Sequence, residues 1–147
     1  MVYNRRNRNA GGSVSRELCM LALIIDDSAV IRSILRGYLL PFGFNIYEAV
    51  DGVDALDLLA QIPTVPDLAL IDWHMPRMNG LEFLRSIRRR EDLSAMVRMM
   101  VTSESEPGSV VRALAAGAHE YLLKPCTADD LGEKLAYLGM VAPATER

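Results

Sequence analysis

The chain has 147 residues, with 16 basic side chains against 19 acidic ones for a formal charge of −3, and half of its residues are hydrophobic. A chain of this length buries roughly 68–70% of its unfolded surface, which suits one core and leaves little room for a second folded domain, so a separate effector domain is not expected. The longest apolar run, residues 18–25, holds eight residues, well short of the roughly 20 that cross a bilayer. Basic residues precede that run as in a signal peptide, but no small-residue cleavage site follows it, so a cytoplasmic protein without a membrane segment is expected. The two cysteines, Cys19 and Cys126, have neither metal-ligand nor CxxC spacing, which argues against disulfide and zinc frameworks.

Residues 1–18 read as a flexible basic tail. Arg5, Arg6, Arg8 and Arg16 stand among Asn, Gly and Ser, with few apolar side chains to offset the entropy of ordering them. The tail is open to two readings: a basic arm for nucleic acid, or upstream sequence before a natural start at Met20. The rest of the chain carries 12 basic against 18 acidic side chains, a body unsuited to holding DNA by itself. From residue 21 onward, short apolar runs alternate with segments of helical period. The predicted strands are 21–25, 44–49, 67–71, 98–101 and 119–123. The predicted helices are 28–40, 52–61, 80–91, 107–116 and 127–138. Ser28 and Thr127 are placed to cap helix N-termini, and Gly43 and Gly117 to end helices. Five βα units predict an α/β fold, a doubly wound parallel sheet of five strands covered on both faces. In such sheets the ligand site lies at the carboxyl ends of the strands.

Several polar residues fall at those ends: Asp26 and Asp27 after the first strand, Asp72 after the third, Thr102 after the fourth, and Lys124 and Pro125 after the fifth. Three carboxylates on one rim repel one another by about 4 kcal/mol per pair at 4 Å and an effective dielectric of 20, unless a cation joins them. Lys124 supplies one charge. The remaining all-oxygen setting favours Mg²⁺, which keeps several waters and takes one or two carboxylates plus phosphate oxygens. A hard metal, a carboxylate nucleophile, a hydroxyl and an ammonium together point to phosphoryl transfer.

The segments LIIDDSAVIRSIL, EAVDGVDAL, DLALIDWHMPRMNGLEFLRSIR, MMVTSES, AAGAHEYLLKP and TADDLGEKL stand in an order and at spacings that resemble the receiver domain of two-component response regulators. The resemblance covers residues 20–140, about four fifths of the chain, and is nearest to the stand-alone chemotaxis-type receivers. It implies a flavodoxin-like (βα)5 fold with strand order 2-1-3-4-5, a receiver domain at 19–140 and a C-terminal tail at 141–147. It further implies that Asp72 accepts a phosphoryl group from a histidine of a partner kinase or phosphotransfer protein. Asp27 and Asp72 would ligate Mg²⁺ directly, with Asp26 reaching it through water and the His74 carbonyl completing the set. Lys124, Thr102 and Ser103 would meet the phosphoryl group, Tyr121 would turn inward beneath the Thr102 loop, and Pro125 would follow a cis peptide bond. The fourth helix, fifth strand and fifth helix would then bind a downstream protein. The implied protein is a monomer or weak dimer, without a DNA-binding domain, that catalyses only its own phosphorylation and dephosphorylation.

Two other functions would use similar residues. A metal-dependent phosphohydrolase of the haloacid dehalogenase type also uses an aspartyl nucleophile, but it requires a second Asp two residues on, where this chain has His74. A degenerate receiver that is never phosphorylated would be expected to lack some of the core residues, and all are present. His74 and Glu104 flank the route of attacking water and are candidates for setting phosphoryl lifetime. Cys126 stands where the family commonly has an aromatic residue. Arg85, Arg88, Arg89 and Arg90 give the third helix a basic end that suits its dipole.

Overall fold

The computed structural model describes residues 19–146; the predicted N-terminal tail, and with it both of its readings, lies outside them. Five strands, β1 (Leu21–Ile25), β2 (Asn45–Ala49), β3 (Leu68–Ile71), β4 (Val97–Thr102) and β5 (Glu120–Leu123), form one sheet in the order β2-β1-β3-β4-β5. All four pairings are parallel. The five helices are α1 (Ala29–Leu39), α2 (Gly52–Gln61), α3 (Gly80–Ile87), α4 (Pro107–Ala116) and α5 (Ala128–Tyr137). The predicted α/β class, strand order and flavodoxin-like winding are those observed. No helix among the described residues is long and apolar enough to cross a membrane.

Side-chain alternation divides the core in two. Leu23, Ile25, Ala69, Ile71 and Met100 face α2, α3 and α4, meeting Ala55, Phe83, Leu84, Ile87 and Ala113. Ala22, Ile24, Leu68, Leu70, Met99 and Val101 face α1 and α5, meeting Leu35, Leu39, Leu131 and Leu135. Because both sheet faces are covered, β1 and β3 are apolar throughout, which is why they read as unbroken runs. Each buried Leu, Ile or Phe contributes about 1.5–3 kcal/mol.

The differences from the predicted boundaries have local causes. Helix α1 gives way at Leu40 to a 3-10 turn through Phe42, because Pro41 has no N–H to donate, and Gly43 closes it at φ 87°. Helix α3 ends at Ile87, short of residue 91, and Glu91–Leu93 form a separate 3-10 turn. Asp67 stands just before β3 and accepts the Leu21 N–H at 2.8 Å, joining two strand entrances through its side chain. Strand β4 runs one residue longer at each end than predicted, so Thr102 closes the strand instead of following it. At the opposite end of the sheet, Arg98 is buried and donates to the Leu93 carbonyl at 3.1 Å, and its backbone N–H donates to His119 Nδ1 at 2.9 Å. Past α5, Met140 and Val141 pack against the α1–α5 side of the core, and Ala144–Glu146 make a last 3-10 turn.

Candidate functional site

Backbone pairing continues past the ends of the strands and fixes where the polar residues lie. Asp26 N–H donates to the Ala49 carbonyl at 3.1 Å, Asp72 N–H to Ile25 at 2.9 Å, and Lys124 N–H to Thr102 at 2.9 Å. Asp26, Asp27 and Asp72 thereby converge, with one carboxylate oxygen from each within 4.8 Å of the others. Asp26 and Asp72 are buried and Asp27 is exposed. Lys124 reaches between the buried pair, with Nζ 2.9 Å from Asp26 Oδ2 and 3.5 Å from Asp72 Oδ1. The peptide bond between Lys124 and Pro125 is cis.

The two buried acids are held differently. Asp26 Oδ1 accepts the Ser28 N–H at 2.9 Å while Ser28 Oγ accepts from Ile31, so the start of α1 is capped twice. Asp72 Oδ1 accepts the Trp73 N–H at 2.8 Å. Burial raises the Asp72 pKa and the negative charge of Asp26 raises it further. Lys124, the Trp73 N–H and the Thr102 hydroxyl oppose this and do not reverse it, so the carboxyl stays above the ordinary aspartate range. Three carboxylates against one ammonium leave an excess of negative charge in a pocket of oxygen donors, which fits a hard divalent cation.

Thr102 is fully buried, and its Oγ1 accepts the Glu104 N–H at 3.2 Å, shaping the loop into α4. Ser103 is exposed and lines a groove of about 360 Å³ together with Lys124, Pro125, Cys126 and Ile31, Ile34 and Tyr38 of α1. Tyr121 occupies the inward position, its ring buried and its hydroxyl donating to the Glu104 carbonyl at 2.6 Å. His74 is exposed, and its Nε2 lies 3.0 Å from Glu104 Oε2, bridging the loops that follow β3 and β4. The hydrogen bond from His74 comes first among the causes that hold the Glu104 carboxyl below its usual range. Burial pushes the Cys126 thiol up, and its carbonyl accepts from the Tyr38 hydroxyl at 3.1 Å.

Several contributors were not singled out in the sequence. Gly80 packs so closely against the end of β3 that a Cβ there would collide with the Asp72 carbonyl oxygen. Arg77, at φ 59°, clamps the buried Asp51 through two bonds of 2.8 and 3.0 Å. Ser109 is buried and bonds Glu104 Oε1 at 3.2 Å, and the Arg112 guanidinium lies 5.2 Å from the Trp73 ring centroid. A glycine opening a helix just after an Asn cap was the one available signal, at Gly80.

Five parallel strands that bring three acids, a lysine and a threonine to one rim define a receiver-type α/β domain. The chain belongs to the response regulator receiver domain family, whose pattern matches residues 22–136. It is 40% identical over 117 residues to the chemotaxis protein CheY homolog of Campylobacter jejuni subsp. jejuni, covering 79% of this chain and 89% of that protein. Among solved structures it is similar to the chemotaxis response regulator CheY4 of Vibrio cholerae, with a TM-score of 0.75 and 28% identity over 82% of this chain and 98% of that one. A CheY-like receiver domain protein from Methanospirillum hungatei superposes with a TM-score of 0.72 and 29% identity, over 82% of this chain and 93% of that one.

Proposed function

We propose that this receiver is switched by phosphorylation of Asp72 and acts by binding another protein, within chemotaxis signalling. The observation that carries the reading is the seating of Lys124 Nζ between Asp26 and Asp72 beside a buried Thr102. In the proposed reaction, an Asp72 carboxylate oxygen attacks the phosphorus of a phosphohistidine on a kinase or phosphotransfer protein. The new P–O bond forms as the P–N bond breaks, and the imidazole leaves with that electron pair and takes up a proton. The chain would catalyse only this transfer to itself and the later hydrolysis.

Asp27, Asp72, Asp26 through water, and the His74 carbonyl would hold Mg²⁺, which when bound supplies positive charge that offsets the crowded carboxylates. Lys124 then pairs with phosphoryl oxygens, and the Thr102 hydroxyl and Ser103 line the space the group enters. Phosphorylation adds about −1.5 to −2 charges and three strong acceptors. Moving a two-state equilibrium from 1:99 to 99:1 takes about 5.5 kcal/mol of differential interaction, within reach of a few charge-assisted bonds. Tyr121 and the Glu104 carbonyl link that event to α4. The face formed by α4, β5 and α5 is the proposed output surface, supported by exposed Val111, Leu114, Leu123 and Tyr137. The chemotaxis setting rests on the 40% identity to the Campylobacter CheY homolog. Residues 19–140 would form the receiver unit, with 141–147 as its tail.

The test is incubation with acetyl phosphate and Mg²⁺ followed by intact-mass measurement of wild type and Asp72→Ala. A phosphoryl increment in wild type alone is expected. The same increment in both proteins, or in neither while a control receiver is labelled, would overturn the acceptor assignment.

A further inference from the structure

Three arginines line a small pocket between α3 and α4 that includes none of the acids of the rim. Arg85 in the last turn of α3, Arg88 just past it and Arg112 of α4 line an open pocket of about 140 Å³ together with Ala115 and Ala116. Arg85 and Arg88 alone would be explained by the negative end of the α3 dipole. That account does not cover Arg112, which belongs to another helix and meets the same space. Among the described residues, Arg85 and Arg88 have no hydrogen-bond or ion-pair partner. Arg112 is already oriented, stacked 5.2 Å from the Trp73 ring centroid and donating to Ser109 Oγ at 3.2 Å. The Glu104 carboxylate, bonded by the same Ser109 hydroxyl, acts on Arg112 from one side, but no acidic residue lines the pocket itself, so three like charges border one space.

We propose that this pocket binds a small phosphate-bearing anion, gripped by the forked donors of Arg85, Arg88 and Arg112. Guanidinium groups match phosphate oxygens in pairs, which a solvated lysine patch does not. The pocket volume is that of about four to five water molecules, sized for one phosphate group and not for a folded partner. The short Ala115 and Ala116 side chains let an anion approach the surface of α4. The residues that line the pocket include none of the acids of the rim.

The chain's single tryptophan, lying beneath Arg112, gives the readout. Inorganic pyrophosphate is titrated into the full chain in EDTA at matched ionic strength, following Trp73 fluorescence and, in parallel, heat by calorimetry. Saturable binding is expected in wild type. Arg85→Gln/Arg88→Gln is expected to weaken it about tenfold or more, with the melting temperature unchanged because both side chains are exposed. Competition with ADP separates the sources: displacement of pyrophosphate assigns a nucleotide, and its failure assigns smaller phosphates, either supporting the site. The proposal is overturned if wild type shows no saturable binding by either readout. It is equally overturned if the double variant binds as tightly as wild type, which would place the anion elsewhere, or if a glutamate peptide saturates the pocket and pyrophosphate does not.

Discussion

Replacing Asp72 by Asn changes the charge of the site and leaves its shape in place. The Asp72 carboxylate lies within 4.8 Å of a carboxylate oxygen of Asp26 and 3.5 Å from Lys124 Nζ. At an effective dielectric of 20 the repulsion is about 3.5 kcal/mol and the attraction about 4.7 kcal/mol. The two nearly cancel, and exposed Asp27 adds a screened repulsion. The cost of burial therefore decides the sign, as the raised Asp72 pKa also indicates, burial being its largest cause. A carboxyl with a folded pKa above its unfolded value binds its proton more tightly when folded. Its charge costs stability above the folded pKa, and the cost disappears as pH falls through that value. Asn keeps the volume and retains an oxygen for the Trp73 N–H, now accepted at 2.8 Å. Asp72→Asn should therefore gain about 1–2 kcal/mol at about pH 7.5 in EDTA, or about 3–8 °C in Tm, and less at about pH 4. Thermal unfolding followed by circular dichroism measures both. A variant that melts below wild type at the higher pH, or an equal gain at the two pH values, would refute the reasoning.

Lys124→Met leaves the buried Asp26 carboxylate without its cation and should destabilise the fold by about 2–4 kcal/mol in urea titrations. Gly80→Ala drives a Cβ into the Asp72 carbonyl, so a loss of about 1–3 kcal/mol and a shifted Trp73 emission are expected from calorimetry and fluorescence. For Glu48, burial raises the pKa, but hydrogen bonds from Arg36 and Arg32 outweigh it and hold the carboxyl below its ordinary range. Its stabilisation is present at neutral pH and lost as pH falls through the folded value, so Glu48→Gln should melt lower than wild type at about pH 7 and alike at about pH 3. His74→Ala opens the exposed bridge to Glu104 and should shorten the phosphoryl lifetime by up to about fivefold, read from the decay of phosphorylated protein by mass spectrometry.

The architecture was legible because β1 and β3 are apolar runs that stop at a charged residue, Asp26 and Asp72 respectively. One rule about strand ends then gathered Asp26, Asp27, Asp72, Thr102 and Lys124, residues scattered over 99 positions of the sequence. Contacts that depend on loop paths were not legible. Asp51 and Arg77 are 26 residues apart and meet because Arg77 takes a left-handed backbone conformation that no neighbouring residue announces. The same holds for Arg112 over Trp73, which requires knowing how α4 leans on the loop after β3. Arg98 is buried where an arginine near a strand end would ordinarily reach solvent, and its carbonyl partner Leu93 comes from a 3-10 turn that the helical period concealed.

Asp26 divides its two oxygens between distant parts of the chain, one on the first turn of α1 and the other on Lys124, while its carbonyl receives Arg32 at 2.7 Å. An incoming anion that recruits the lysine would therefore slacken one hand of a residue whose other hand braces the start of the neighbouring helix.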